Sequence, residues 1–260
     1  MTHSVTGAPG AGVTGAGLTR VGPAGDRAGR GTLVAVDGPS GSGKSSAARG
    51  TAAALGLRYL DTGAMYRAVT WWLLEHDVDL TDAEAVADRV AGLSLEISTD
   101  PGQPQVLVEG IDVTAEIRNR RVTNVVSLVA AVPQVRRQLI AQQQQIMAEA
   151  AQSAGGVVAE GRDIGTVVAP QAEVKVFLTA SEAVRAERRA AELAGRTSGP
   201  RPPDRPSADV TRSEQALRDR RDAPQSGMAD DAVVIDATDL GLDEVIARIT
   251  GLVTAAQRET

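Results

Sequence analysis

Residues 38–46 read Gly-Pro-Ser-Gly-Ser-Gly-Lys-Ser-Ser and carry the spacing Gly38-x-x-x-x-Gly43-Lys44-Ser45. Glycines at this spacing let successive backbone N–H groups curl around a polyphosphate without Cβ clashes. A lysine here reaches the β and γ phosphates, and the hydroxyl after it suits Mg²⁺. Gly38, Pro39, Ser40, Gly41, Ser42, Gly43, Lys44, Ser45 and Ser46 are thus expected to hold a nucleoside triphosphate. The context agrees. Leu33 to Val36 read as a short apolar strand before the motif, and Ser46 to Leu55 as an Ala-rich helix after it, whose start adds partial positive charge.

A P-loop by itself fits a GTPase, a motor ATPase or a small-molecule kinase. The remaining candidates are arginines at element ends. Arg67 follows Asp61-Thr62-Gly63-Ala64-Met65-Tyr66, Arg136 follows Pro133, and Arg162 with Asp163 ends a strand. Arg185 and Arg189 share one helical face with Arg188 beside them, and Arg218, Arg220 and Arg221 form a further cluster. Phosphoryl transfer between two phosphates needs such cations, because donor and acceptor are both anionic and must be held in line. An acceptor phosphate is already nucleophilic near neutral pH, which suits a chain whose only histidines are His3 and His76.

The elements that position these residues alternate. Strands are expected at 57–60, 157–159, 174–178 and 233–236, with helices at 65–75, 118–127, 135–151, 181–194, 209–221 and 242–256 between or after them. That order predicts an α/β fold with a parallel sheet and helices on both faces. Asp61 opens a capping-like turn, and Thr81-Asp82-Ala83-Glu84 reads as a capping box for a helix reaching Leu93. Residues 93–97 and 105–109 alternate about an Asp100-Pro101-Gly102 turn, predicting a hairpin, and 111–114 could add a strand. This small antiparallel unit, residues 93–114, reads as an insertion. Residues 195–208 are rich in Gly, Pro and Arg and read as a mobile loop. Trp71 and Trp72 are expected to pack in the core.

Composition sets outer limits. The 260 residues carry a net charge of −6 and no cysteine, so disulfides, thiol catalysis and zinc–thiolate sites are excluded. The acidic balance argues against a broad nucleic-acid-binding surface. No apolar run has the length of a membrane span, and the cytoplasm is the expected location. Residues 1–31 lack apolar periodicity and read as a disordered Gly/Ala-rich tail, dispensable for activity, ahead of one domain over 32–260.

Taken together, Gly38 to Ser46, Asp61-Thr-Gly-Ala-Met-Tyr-Arg67, Glu160-Gly-Arg-Asp-Ile-Gly-Thr-Val-Val168 and the run from Glu116-Ile-Arg118 through Ser127 to Val135-Arg136 resemble the bacterial cytidylate kinases. The similarity extends from about residue 32 to the end. It implies a P-loop three-layer fold with a small inserted antiparallel domain on the monophosphate side and a lid, here 195–208 with Arg196, Arg201 and Arg205. It implies phosphoryl transfer from ATP to CMP or dCMP, with Mg²⁺, by a monomer without nucleic-acid or membrane partners. Carried over residue by residue, it makes Lys44, Arg162, Asp163, Arg185 and Arg189 the catalytic set. Ser127, Arg136 and Asp163 would read the cytosine, where a carboxylate suits the 4-amino donor and uracil offers an acceptor. Thr62, Tyr66, Arg67 and Arg162 would line the monophosphate side, and Ser45 with Glu160 would place the metal. Near the end of the family's pattern, Arg218 and Asp222 match its ribose-contacting pair, while Gln225 stands where a phosphate-binding arginine is usual. A shifted match, Arg221 with Gln225, would lose the acid as well.

Overall fold

The structure, a computed structural model, describes residues 31–153, 155–195, 213, 216, 217 and 219–258. Residues 1–30 of the expected tail, lid residues 196–208 and Arg218 lie outside the described residues. Five parallel strands form the main sheet: β1 (Thr32–Asp37), β2 (Arg58–Asp61), β6 (Gly156–Gly161), β7 (Val174–Thr179) and β8 (Val233–Asp236). Their spatial order is β2-β6-β1-β7-β8, so the winding reverses direction at β1.

Alternation along the strands explains the layers. Val34 and Val36 of β1, Val158 of β6, and Val174, Val176 and Leu178 of β7 face α1 (Lys44–Leu55) and the final helix, α7 (Leu242–Arg258). Ala35, Val157, Ala159 and Leu60 point the other way, into a larger core with α2 (Thr62–Glu75) and α5 (Pro133–Ser153). A sheet covered on both faces must be apolar on both, hence the near-continuous Val/Ala runs.

The small sheet is as expected in kind: β3 (Leu95–Ile97), β4 (Val106–Val108) and β5 (Ile111–Asp112) pair antiparallel in that order. Leu95, Val106 and Val108 seal it onto the α2 side of the core. Glu109 (φ 48°) and Gly110 (φ 75°) make the two-residue turn between β4 and β5, a left-handed pair that matches strand twist. The cap of α3 (Ala83–Val90) departs from the capping box. Asp82, not Thr81, is the N-cap, accepting from the Glu84 and Ala85 N–H groups at 3.0 Å each. Thr81 is drawn back instead, its N–H and hydroxyl bonding Asp79 Oδ1 at 2.9 and 2.7 Å. The helix starts one residue late because the nearer carboxylate outcompetes the hydroxyl for its amides.

α4 (Arg120–Ala130) follows a 3₁₀ turn at Glu116–Arg118, and α6 (Glu182–Gly195) follows β7. No described helix is long and apolar enough to cross a membrane.

Candidate active site

Parallel strands bring their carboxyl ends to one edge, and the register stacks Asp61 of β2 beside Glu160 of β6, and Asp37 of β1 beside Gly161. At such an edge, where the winding reverses, open α/β sheets bind ligands. A cleft of about 420 Å³ lies there, lined by the P-loop, α2, α4, the end of β6, α6 and the turn after β8.

The P-loop departs from β1 at Gly38, whose φ of 146° is out of reach for most side chains, and a Cβ there would sit 2.0 Å from the Leu178 carbonyl oxygen. Gly43 caps α1 at φ 96° with no side chain bonded across the helix start, so that end faces the cleft. The loop's outward carbonyls are tied down from three sides. Lys44 Nζ donates to Pro39 O at 2.7 Å, Arg185 to Ser40 O at 3.0 Å, and Arg188 to Ser42 O at 3.3 Å. Arg188 also donates to Ala237 O at 2.7 Å, anchoring the loop to the turn after β8. Arg185 is buried and paired with Asp219, whose Oδ1 accepts the Ser40 N–H at 3.3 Å. Arg188 and Arg189 border the cleft, whereas Arg185 serves the loop's backbone from behind.

Burial, then the like charge of Arg162, lowers the Lys44 ammonium to about 7, against the pull of Glu160, Asp37 and Asp219. A buried lysine whose charge is disfavoured despite three carboxylates nearby is one that an arriving anion would stabilise. Glu160 is raised, first by burial and then by Asp61 beside it. Its Oε1 accepts the Ser45 hydroxyl at 2.7 Å, and its backbone oxygen accepts from Thr62 Oγ1 at 2.7 Å. A serine hydroxyl and a carboxylate so close form an oxygen-only donor set, which suits Mg²⁺ completed by substrate phosphates and water. Among the described residues no cluster of three or more acidic or histidine side chains could hold a metal.

On the opposite wall Asp61 caps α2, its Oδ1 accepting the Ala64 N–H at 2.7 Å. Burial alone would raise this carboxyl, yet Arg67 and Arg118 hold it below its ordinary value. Arg67 and Arg118 approach Asp61 Oδ2 at 3.0 and 3.4 Å. Arg136 of α5 pairs with Asp163 through a short charge-assisted bond. Ser127 Oγ donates to Asp222 Oδ1 at 2.7 Å, and Arg162 Nε approaches Asp222 Oδ2 at 3.3 Å. Arg162 also donates to Gly38 O at 3.1 Å, crossing from this wall to the P-loop. Thr62, Tyr66, Arg67, Ser127, Arg136, Arg162, Asp163 and Asp222 therefore line one cleft with Ser40 to Ser46 and Glu160, though they come from six separate stretches of chain. Gln225 lies in a short 3₁₀ turn, Ala223–Gln225.

Some members of the site carry little sequence signal. Thr123, Val126 and Ala130 border the cleft with Ser127, on one face of α4. Their i, i+3, i+4, i+7 spacing could have marked that face once Ser127 was singled out. Arg118 belongs to the Glu116-Ile-Arg118 run, but its place in the cleft beside Asp61 is not written there. Asp37 is buried at 4% exposure and accepts from the backbone amides of Ile164 and Gly165, a role no spacing announces.

Fold and cleft together define a P-loop α/β protein whose cleft runs between the P-loop and the α2–α4 wall. The family model for cytidylate kinase matches residues 34–255. A cytidylate kinase of Streptomyces avermitilis is 48% identical over 229 residues, covering 85% of this chain and 92% of that protein. One of Rhodococcus opacus is 49% identical over 219 residues, covering 84% and 92%. One of Lactiplantibacillus plantarum is 46% identical over 233 residues, covering 87% and 96%. The chain belongs to the cytidylate kinase family.

Proposed function

We propose that this chain transfers the γ-phosphoryl group of ATP to CMP or dCMP, giving ADP and CDP or dCDP. The observation that carries the reading is one cleft in which a P-loop faces an arginine-lined wall containing the part-buried Asp163–Arg136 pair. The P-loop amides and Lys44 hold the β and γ phosphates of ATP. An oxygen of the acceptor phosphate attacks the γ phosphorus as its bond to the β–γ bridging oxygen breaks, and ADP leaves with that oxygen. Arg162, placed between Gly38 and Asp222, lies where it can follow the charge as it moves from donor to acceptor. Arg189, at the cleft's border, adds to that field, and Arg185 keeps the P-loop in shape. Arg67 and Arg162, with Thr62 and Tyr66 beside them, receive the acceptor phosphate, and Asp163, oriented by Arg136, accepts from the cytosine 4-amino group. Ser127 supports the base side, and Asp222 the ribose.

Ser45 and Glu160 would hold Mg²⁺, which when bound neutralises charge on the β and γ phosphates. The described P-loop wall and the lid over 195–208 would together exclude water from the γ phosphate. The same reading treats 93–114 as the monophosphate-side insertion and has the chain work as a monomer in the cytoplasm.

The test is ADP release from Mg·ATP with CMP, dCMP, UMP, AMP or GMP as acceptor. Turnover confined to CMP and dCMP is expected. Equal or better turnover with another acceptor would overturn the base-reading roles of Asp163, Arg136 and Ser127.

A further inference from the structure

The residue that ends β1, Asp37, is fully enclosed, yet both of its carboxylate oxygens are used. Oδ1 accepts the Ile164 N–H at 2.9 Å and Oδ2 the Gly165 N–H at 2.8 Å. These two amides open the π-helical turn Ile164–Val168, the backbone immediately after Arg162 and Asp163. Asp163 itself sits at φ −145°, ψ 27°, outside the regular helical and strand regions, and its carbonyl accepts the Val167 N–H at 2.9 Å. The turn has no side-chain cap of its own, so Asp37 is what satisfies its first amides.

We propose that Asp37 is a positioning residue for the acceptor nucleotide: it clamps the turn after β6 and so sets where the Asp163 carboxylate and the Arg162 guanidinium stand. The inference rests on the CMP-kinase reading above. Its hold on the donor side is weaker, through its charge near Lys44 and through Arg162, which donates to Gly38 O at 3.1 Å. Although Asp37 adjoins the P-loop in sequence, its carboxylate is spent on the β6 turn. The P-loop backbone is held independently by Lys44 on Pro39 O, Arg185 on Ser40 O and Arg188 on Ser42 O. Loosening the clamp therefore moves the base reader and one phosphate arm, while the bonds at Pro39, Ser40 and Ser42 keep most of the ATP cradle in shape. A displacement well under an ångström at such a site weakens both ground-state contacts and alignment.

The experiment compares KM for CMP with KM for ATP in D37N, alongside direct calorimetric binding of each nucleotide. Asparagine keeps the shape but turns an amide N–H₂ toward one of two buried N–H donors. The expected result is a rise in KM for CMP of roughly 10- to 100-fold, with a clearly smaller rise in KM for ATP. A second variant, G165A, guards against misfolding of the first. Its Cβ would meet Lys175 Cδ at 3.2 Å and Asp37 Oδ2 at 3.4 Å, pressing on the same clamp without removing its charge. It should show the same CMP-selective loss, more mildly. Equal losses for ATP and CMP, or no loss in either variant, would overturn the role of Asp37 while the kinase reading stood. A parent chain that binds ATP but gives no heat with CMP would overturn both.

Discussion

Substituting Asp163 by asparagine tests the base-reading assignment with the least disturbance of packing. Asp163 is 8% exposed and its carboxylate is engaged by Arg136, so an isosteric change keeps the cavity filled and alters chemistry alone. On the proposed reading the carboxylate accepts a hydrogen bond from the cytosine 4-amino group. A hydrogen bond to a charged group contributes about 1.5–3 kcal/mol, which is roughly 10- to 150-fold in kcat/KM. Asparagine keeps one acceptor oxygen but brings an N–H₂ that can donate to the uracil 4-oxygen, so UMP should lose less than CMP or improve. D163N is therefore expected to lower kcat/KM for CMP by about 10-fold or more and to raise the UMP-to-CMP ratio by at least as much. Steady-state ADP release with each acceptor reads both quantities, and a melting curve on the same preparation separates misfolding from lost recognition. A folded D163N whose CMP and UMP efficiencies fall by the same factor would refute the assignment.

Three further substitutions probe the cleft. Because the folded Lys44 is lowered to about 7 while an unfolded lysine titrates near 10.4, the unfolded chain binds more protons between those values. Wild-type stability relative to K44M should thus rise with pH across that window, by at most about 1.4 kcal/mol per unit, as denaturant titrations at several pH values can read; a flat difference would mean Lys44 stays charged. The same substitution should cost at least about 100-fold in turnover, and near-normal turnover would remove Lys44 from the mechanism. E160Q should raise the Mg²⁺ concentration for half-maximal rate by roughly tenfold, since a neutral amide is the poorer partner for a hard cation; an unaltered Mg²⁺ requirement would leave Glu160 a strand-end anchor for Ser45 and Thr62. D222A should narrow the preference between CMP and dCMP, measured as the ratio of their kcat/KM values, and an unchanged ratio would take Asp222 away from the ribose.

The parts of the site legible in the sequence are those whose chemistry is local. A P-loop is a run of backbone conformations, and Gly38, Gly41 and Gly43, all at positive φ here, announce it because few other residues fit. The strand-end motifs at Asp61 and Glu160 were legible as ends of apolar runs. Where two groups compete for the same amides, spacing misleads: Asp82 displaced Thr81 at the start of α3 because a carboxylate is the stronger acceptor. Among the arginines, sequence spacing put Arg185 and Arg189 on one helical face, but it could not say that Arg185 turns behind the P-loop while Arg189 borders the cleft.

By itself, then, the amino-acid sequence determined the P-loop, the α/β alternation, the small antiparallel sheet and the family, because each is written in short-range pattern: glycine spacing, period-two strands, helical repeats. Only the tertiary structure decided which distant residues share the cleft. Strand order β2-β6-β1-β7-β8 sets Glu160 between Asp61 and the P-loop strand, and thereby puts Ser45 against Glu160 across 115 residues of chain. It also decided that Asp37, a buried carboxylate with no motif of its own, would hold the turn carrying Asp163. Long-range register comes from burying both faces of one sheet at once, a property of the packed whole that no window of sequence contains.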